Sequence, residues 1–258
     1  GDLYQARVID PLGNVFLDYN SDFSKVANVL SKRVEDLSNY TRIGSRSIGD
    51  ALPVPDESEF FELAKSFGHK FHELIGMDPK VVKRFFGNAS FRCESGFPSF
   101  RKENLIYVSR RNIDKRLVGK EGFVAVEIDS IDKSSQTKFY GEYKPSVDTP
   151  TQVLLYKNFP DVNYMLHGHV YVKGAPFTTE VVPCGAVEEV KEIMKLFPNK
   201  NASNFALNLN GHGSLVLAKD LNFLSNIDYV PRPYPEIQST YFNDFETNSG
   251  GNKKWIEI

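Results

Sequence analysis

Residues 164–172 have the sequence YMLHGHVYV, which places two histidines in an apolar segment rich in β-branched and aromatic residues. The pattern predicts a β-strand, in which side chains two positions apart point to the same face. His167 and His169 are therefore predicted to present their imidazoles side by side. A third histidine, His212, lies in LNGHGSLVL at residues 209–217. The three imidazoles form a candidate set of metal ligands, since a catalytic metal site commonly combines three protein ligands with an open position.

An aspartate provides a carboxylate for the same candidate site. Asp148 lies in KPSVDTPTQVLLY, residues 144–156, just before a predicted helix that has Pro150 in its first turn, where a proline costs least. A carboxylate beside a metal ion can move protons. The alternative role for Asp148 is a plain helix N-cap, and the two roles are not exclusive. For the histidines, the alternative is a group of strand residues that are satisfied by hydrogen bonds in the core.

The composition is that of a folded protein and identifies no ligand. The chain has 258 residues, of which 41% are hydrophobic and 25% charged, and its formal net charge of -2 favours neither nucleic acid nor an anionic membrane. No apolar stretch is long enough to cross a bilayer, and the start GDLYQARV does not resemble a signal peptide. Cys93 and Cys184 are interpreted as reduced thiols. We therefore predict a cytoplasmic protein with no nucleic-acid or membrane partner.

Periodicity and turn residues predict the order of the elements. A segment rich in Gly and Pro, residues 45–56, is interpreted as a linker. It separates an N-terminal extension, residues 1–50, from a main domain, residues 51–258. The predicted elements are a hairpin in 5–19, helices in 23–37, 57–75, 149–159 and 186–197, and strands in 91–95, 105–109, 123–128, 137–143 and 205–209.

Ordered motifs give the chain a resemblance to a known family. GNASFR at residues 87–92 is similar to the family's Gly-Asn-x-Ser-x-Arg segment, and VSRRNIDK at 108–115 occupies the place of its second phosphate loop. KPSVDTPT at 144–151 is similar to an epimerase-type Lys-Pro-Ser-Ser-Asp-Thr-Pro-Thr run, and HGH and NGHG then follow in the family's order. From about residue 57 to 219 the chain resembles the class II aldolase and adducin-like superfamily, which includes fuculose-phosphate aldolase and ribulose-phosphate 4-epimerase. Motifs in this order are a much stronger signal than any one of them alone.

The resemblance implies a fold, a metal site and an assembly. The fold is α/β, with three α/β/α layers around a central, mainly antiparallel sheet, and the assembly is a homo-oligomer, a cyclic tetramer with active sites between subunits. His167, His169 and His212 are implied ligands of a divalent metal ion, for which Zn2+ is the first choice and Mn2+, Fe2+ or Co2+ are alternatives. Asp148 is the implied proton-transfer residue. The positions that match the family's substrate and phosphate pocket are Gly87, Asn88, Ser109 and Ser146, to which Arg110, Arg111 and Lys115 add positive charge or form only a solvated face.

The implied activity is that of a metal-dependent aldehyde-lyase of carbohydrate metabolism. Its substrate is a small hydroxy-ketone or sugar, phosphorylated or free, and the reaction passes through a metal-stabilised enediolate. A pentulose-phosphate 4-epimerase, favoured by the aspartate in DTPT, and a sugar-phosphate dehydratase are alternative enzymes of the same fold. A non-catalytic, adducin-like binding protein is a third alternative, although such domains characteristically lose the metal ligands that this chain keeps.

The chain departs from the family pattern in three places. Val147 replaces the second serine of the Ser-Ser pair, which removes a hydroxyl from the implied phosphate pocket. The interval between His169 and His212 is shorter than expected for the family. A Pro-rich tail replaces the long C-terminal helices, and the candidate substitutes for the family's C-terminal tyrosine are Tyr229, Tyr234 and Tyr241.

Overall fold

The computed structural model describes residues 4–9, 14–75, 87–92, 104–131 and 136–232. The chain divides into two compact units, one formed by residues 1–38 with 232–258 and the other by residues 39–231. Several residues singled out above lie outside the described residues: 10–13 of the predicted hairpin turn, Cys93, Tyr234 and Tyr241.

The described part of the smaller unit consists of a hairpin and a helix. Strand β1 (Ala6–Ile9) pairs antiparallel with β2 (Val15–Asn20), which confirms the predicted hairpin, and helix α1 (Phe23–Ser38) follows. The Asp22 carboxylate accepts a hydrogen bond of 3.0 Å from the backbone N–H of Ser24. Helix α1 therefore begins at a side-chain cap.

Within the described residues, the larger unit contains an eight-stranded sheet in the order β10-β11-β8-β4-β5-β6-β7-β3. Each neighbouring pair is antiparallel except β3 with β7, which is parallel. A second, two-stranded sheet pairs β9 with β12. The strands are β3 (Gly44–Ser47), β4 (Asn88–Arg92), β5 (Leu105–Ser109), β6 (Phe123–Glu127), β7 (Gln136–Phe139), β8 (Tyr164–Gly168), β9 (Tyr171–Val172), β10 (Phe205–Leu209), β11 (Gly213–Ala218) and β12 (Tyr229–Val230).

Helices cover both faces of the large sheet. They are α2 (Ser58–Ile75), α3 (Thr149–Asn158), α4 (Glu188–Leu196) and α5 (Leu221–Ser225). On β6, Phe123 and Ala125 join an apolar cluster with α2, whereas Val124 and Val126 join a second cluster with α3 and α4. Because successive side chains of a strand point to opposite faces, the two clusters lie on opposite sides of the sheet. The expected three-layer α/β/α fold with a mainly antiparallel sheet is confirmed.

Aromatic packing holds α2 against the sheet. The ring centroids of Phe60 and Phe91 lie 5.6 Å apart, and those of Phe61 and Phe123 lie 5.2 Å apart. Pairs of this kind contribute about 0.5–1.5 kcal/mol each beyond the area they bury. The phenylalanines whose helical spacing predicts α2 therefore also hold β4 against that helix. Strand β4 begins at Asn88, a candidate site residue.

The prediction of one strand through residues 164–172 is wrong after Gly168. The chain bends at His169 and Val170, and Tyr171–Val172 forms β9. The physical reason is that the backbone of β9 forms hydrogen bonds with the side chain of Asn208. The Asn208 amide accepts a hydrogen bond of 2.7 Å from the Val172 N–H and donates one of 3.0 Å to the Val172 carbonyl.

The segment interpreted as a linker begins inside the large sheet. Ser45 and Ser47 belong to β3, where they pair with Thr137 and Phe139 of β7. Without β3, β7 would be an edge strand with backbone N–H and C=O groups open for pairing. A short polar segment can pair with these groups through its own backbone, so β3 needs no apolar pattern. The division of the chain at residues 50 and 51 stays a prediction, and β3 lies before it.

Tyr229 lies in the core of the larger unit. It is 3% exposed, and its ring centroid lies 5.3 Å from that of Phe67 and 4.9 Å from that of Phe71. Its interpretation as a substitute for the family's C-terminal tyrosine, which often enters a neighbouring site, is therefore wrong. Among the described residues, no helix is both long and apolar enough to span a membrane.

Candidate metal centre

The three predicted histidines meet where β8 ends and β11 begins. Their ring centroids lie 4.6 to 5.2 Å apart, and one ligating atom from each lies within 4.8 Å of the others. His167 is on β8, His169 is in the bend after it, and His212 directly precedes β11. All three side chains are buried. The structure thus brings together the predicted ligands, and their role as ligands stays a prediction.

The hydrogen bond of His167 determines which ring nitrogen has a lone pair. Its Nδ1 lies 2.9 Å from the carbonyl oxygen of Ser214, and a carbonyl only accepts, so Nδ1 carries the proton. Nε2 is buried without a hydrogen-bond partner among the described residues and lies 3.9 Å from Oδ2 of Asp148. Burial, with a smaller contribution from His212, lowers the pKa of His167 to about 4.

An imidazole nitrogen in this state fits a divalent cation. A buried polar atom without a partner is uncommon and calls for an explanation. The Nε2 of His167 has a lone pair, is unprotonated at neutral pH, and lies next to two further imidazoles. These are the features of a ligand for Zn2+ or a similar ion. The residues present therefore fit the metal that the family resemblance implies.

A buried carboxylate positions His212. Nδ1 of His212 lies 2.8 Å from Oε1 of Glu189, which belongs to the first turn of α4. Burial raises the pKa of Glu189, and the interaction with His212 opposes that shift. Metal-binding histidines commonly donate their second ring N–H to a carboxylate, which fixes the tautomer and the ring orientation. Glu189 is thus a candidate positioning residue that the sequence motifs do not include.

Replacement of Glu189 by glutamine is expected to weaken metal binding. The amide can still accept a hydrogen bond but has no charge to hold the imidazole ring, so the Kd for Zn2+ should rise by about 10-fold to 100-fold. Competition with a chelating dye measures the Kd. Glu188→Gln is the control, because Glu188 contacts the backbone N–H of Thr41 instead. Equal Kd values for Glu189→Gln and wild type would contradict this role.

Asp148 stands at the N-cap of α3, as the sequence predicts, but its carboxylate makes no capping hydrogen bond. Instead, Asn88 Nδ2 donates to Oδ2 at 2.8 Å, and the Cys184 thiol donates to Oδ1 at 3.1 Å. Burial acts to raise the pKa of Asp148, but the nearby imidazoles and the hydrogen-bond donors outweigh it, so the pKa is lowered. The structure therefore holds an ionised carboxylate beside the histidines, and a plain capping role does not explain it.

Asn88 and Gly87 support the site from the start of β4. Besides donating to Asp148, the Asn88 amide accepts a short hydrogen bond from Gln152 on α3, so its orientation is held on both sides. Gly87 has φ +83°, and a Cβ there would lie 2.4 Å from the carbonyl oxygen of His167. Only glycine allows this approach without strain. Both residues lie at the site, and their predicted contacts with substrate stay predictions.

Ser109 and Ser146 lie on adjoining backbone. The Ser146 N–H donates to the Ser109 carbonyl at 3.1 Å. The Ser109 hydroxyl is fully buried and accepts a hydrogen bond of 3.1 Å from the N–H of Ala89, whereas the Ser146 hydroxyl accepts one of 3.4 Å from the N–H of Asp148. Both hydroxyls thus stabilise the backbone around the centre, and their role in phosphate binding remains a prediction.

Lys115 is a buried cation near the site. It is 8% exposed, and the backbone of its turn packs against Gly68 of α2, where an added Cβ would lie 2.6 Å from the Lys115 carbonyl carbon. Burial lowers the pKa of Lys115 to about 8, although Asp148 and Asp114 act to raise it. The interpretation of Lys115 as part of a solvated face is therefore wrong.

The stability of the metal-free protein is expected to depend on Lys115 in alkaline solution. Between about pH 8 and 10.5 the unfolded chain binds a proton that the folded chain has released, so the free energy of unfolding rises with pH in this window. We expect that rise to be on the order of 2–3 kcal/mol larger than in Lys115→Met. Urea unfolding at several pH values measures it, with the exposed Lys120→Met as control. Parallel profiles for wild type and Lys115→Met would rule out the effect.

Residues 71–172 match the family model described as Class II Aldolase and Adducin N-terminal domain. The matched segment contains Asn88, Asp148, His167 and His169, in the order that the motifs predict. Residues 71–172 belong to the class II aldolase and adducin superfamily. The resemblance seen in the sequence is confirmed, and this class II aldolase-type segment carries most of the candidate centre. His212 lies beyond it and joins the centre through the pairing of β8 with β11.

Several solved structures are similar to the chain. An L-fuculose 1-phosphate aldolase shares 16% identity with a TM-score of 0.46, covering 79% of this chain and 93% of its own. A sugar-phosphate aldolase from Thermotoga maritima shares 12% identity with a TM-score of 0.43, covering 76% and 99%. The N-terminal class II aldolase domain of a conserved protein from Thermoplasma acidophilum shares 15% identity with a TM-score of 0.44, covering 74% and 94%. No curated protein matches the chain in sequence.

Proposed function

We propose that the protein is a metal-dependent lyase of the class II aldolase type, which cleaves or forms a carbon–carbon bond in a small hydroxy-ketone or sugar, phosphorylated or free. The observation that carries the proposal is the buried imidazole triad, in which Nε2 of His167 is unprotonated and has no hydrogen-bond partner among the described residues. It stands beside the ionised Asp148. Membership of residues 71–172 in the superfamily supports it.

The three imidazoles would hold the ion, and Zn2+ is the first choice because nitrogen ligands suit it. A divalent ion in this centre supplies a Lewis acid that stabilises negative charge as it develops on a substrate oxygen. Ser214 and Glu189 keep two of the imidazoles in the tautomer that leaves Nε2 as the ligand atom. These contacts fix the orientation of the two imidazole rings before substrate binds.

Asp148 is the residue that moves a proton. Its pKa is lowered, so the carboxylate is ionised at neutral pH and can accept a proton from a substrate hydroxyl or carbon and return it later. Asn88 and Cys184 each hold one of its oxygens. Burial of the carboxylate, with 8% of Asp148 exposed, limits competition from water. A retro-aldol reaction needs this combination of a positioned base and charge stabilisation.

Two related activities use the same parts. An epimerase of this fold would break and re-form one bond and return an isomer of the substrate, and a dehydratase would release water. A non-catalytic, adducin-like role is disfavoured because all three candidate ligands are present and Nε2 of His167 has no hydrogen-bond partner among the described residues. The homotetramer and the cytoplasmic location remain predictions, and analytical ultracentrifugation of the full chain tests the first.

The proposal is tested by supplying the metal-loaded protein with a panel of phosphorylated and free ketoses. Cleavage is followed by trapping the released aldehyde and by NMR of the products. The expected result is two smaller carbonyl products from at least one ketose, formed at least about 100-fold more slowly by Asp148→Asn. An isomer of unchanged mass would show that the activity is that of an epimerase and not of a lyase. A product lighter by one water would show that it is that of a dehydratase. Full metal occupancy with no conversion of any ketose would overturn the enzyme proposal.

A further inference from the structure

The centre contains a second set of possible ligands that overlaps the imidazole triad. One ligand atom each from Asp148, Cys184 and His212 lies within 4.8 Å of the other two. His212 belongs to both sets, so they adjoin at one imidazole. The Cys184 thiol donates to Oδ1 of Asp148 at 3.1 Å. A soft sulfur donor therefore lies at the edge of a site that the histidine motifs alone describe as purely nitrogen.

The backbone around Cys184 holds its thiol in this position. Gly185 has φ +78°, and an added Cβ would lie 2.8 Å from Cγ1 of Val147, so the turn is packed against the residue before Asp148. The N–H of Gly185 donates to the Asp148 carboxylate. The next residue, Ala186, is fully buried. The packing of the following two residues thus fixes the backbone that carries the thiol.

A second observation points to a cation beside the same carboxylate. Nε2 of His167, on a side chain that is 3% exposed, has no hydrogen-bond partner among the described residues and lies 3.9 Å from Oδ2 of Asp148. The Asp148 carboxylate therefore has the thiol on one oxygen and an imidazole lone pair beside the other. Imidazole, carboxylate and thiol are the groups that bind Zn2+ and Co2+ in proteins.

We propose that Cys184 is a thiolate ligand of the divalent metal ion that His212 binds in this centre, next to the Asp148 carboxylate, and makes the centre selective for thiophilic ions. This inference rests on the metal centre of the proposed function. Metal binding breaks the S–H bond, releases the proton to the buffer and forms a metal–sulfur bond with the sulfur electron pair. Without metal, burial raises the pKa of the thiol well above its usual value, so the free cysteine is protonated. A coordinated thiol, in contrast, is deprotonated.

Cobalt substitution of the full chain tests the proposal, because a cobalt–thiolate bond produces a near-ultraviolet charge-transfer band while cobalt in any ligand field produces visible bands. The wild type is expected to show both, with about one Co2+ per chain. Cys184→Ser should lose the near-ultraviolet band and keep the visible bands, and Cys184→Ala is the second variant. Cys93→Ser is the matched control and should keep both. The Kd for Zn2+ should rise at least about tenfold in Cys184→Ala while the Kd for Mn2+ stays unchanged.

The outcomes separate this proposal from the proposed function. Visible bands without a near-ultraviolet band in the wild type would overturn the thiolate ligand and leave the imidazole centre intact. A near-ultraviolet band that survives in both Cys184 variants would also overturn it. A wild type that binds no cobalt would sink both proposals. A thiolate band that depends on Cys184, in a protein that converts no ketose, would support this inference and contradict the proposed function.

Discussion

His167→Ala is expected to purify with essentially no bound metal, whereas the wild type retains about one divalent ion per chain. The variant loses the buried Nε2, which has no other hydrogen-bond partner among the described residues. Loss of an outer partner of a metal ligand costs about 10-fold to 100-fold in affinity, and loss of the ligand itself should exceed that. Elemental analysis of protein purified without chelator measures the metal content.

The control for this variant is His69→Ala, since His69 is an exposed residue of α2 outside the cluster. Its metal content should equal that of the wild type. His169→Ala removes a second predicted ligand and should show the same loss of metal. It serves as the second variant in case His167→Ala does not fold, and circular dichroism compares the folds of both with the wild type. Full metal content in both His167→Ala and His169→Ala would show that the triad is not the binding site.

Asp148→Asn is expected to lower kcat by about 10²-fold to 10⁴-fold, the range for loss of a general acid–base group. Asparagine has nearly the same shape and can still accept a hydrogen bond from Asn88, but it cannot take up a proton. The imidazoles and Cys184 remain, so the variant should still bind metal. Steady-state kinetics on the ketose that the panel identifies, together with elemental analysis, separate loss of chemistry from loss of metal.

The matched control is Asp161→Asn, because Asp161 is exposed and lies outside the cluster of possible ligands. It should leave kcat within about twofold of the wild type, as surface substitutions away from a site usually do. A kcat for Asp148→Asn that is also close to wild type, at full metal content, would remove Asp148 from the proton-transfer step. The carboxylate would then serve as a positioning or ligand group only.

Local patterns in the sequence predicted several elements around the centre, but not β11, which follows His212. The spacing of the phenylalanines predicted α2, and short apolar runs predicted β5 and β10 with their observed bounds. Asp148 was expected before a helix with Pro150 in its first turn, where it is found. These features depend on neighbours along the chain, because periodicity and helix-end chemistry are local. The ordered motifs likewise identified the superfamily.

Residues without a local signature were missed. Cys184 has no partner nearby in sequence, and only the fold brings it to Asp148. Glu189 carried a weak signal, since it lies on the face of α4 that buries Val190 and Ile193. An acid on a buried helical face needs a partner. That partner, His212, is set by tertiary packing.

The sequence by itself determined the order of the histidines and the aspartate that form the candidate centre. Tertiary structure alone decided which of these groups meet. The register that pairs Gly168 with Ser214 brings His212 close to His167. Asn208 binds the backbone of Val172, just after the bend that contains His169. Strand register follows from burial on both faces of the sheet and from turn geometry, which combine residues far apart in the chain. For this reason the sequence motifs could indicate a metal site, whereas the contacts of Glu189 with His212 and of Cys184 with Asp148 are visible only in the folded structure.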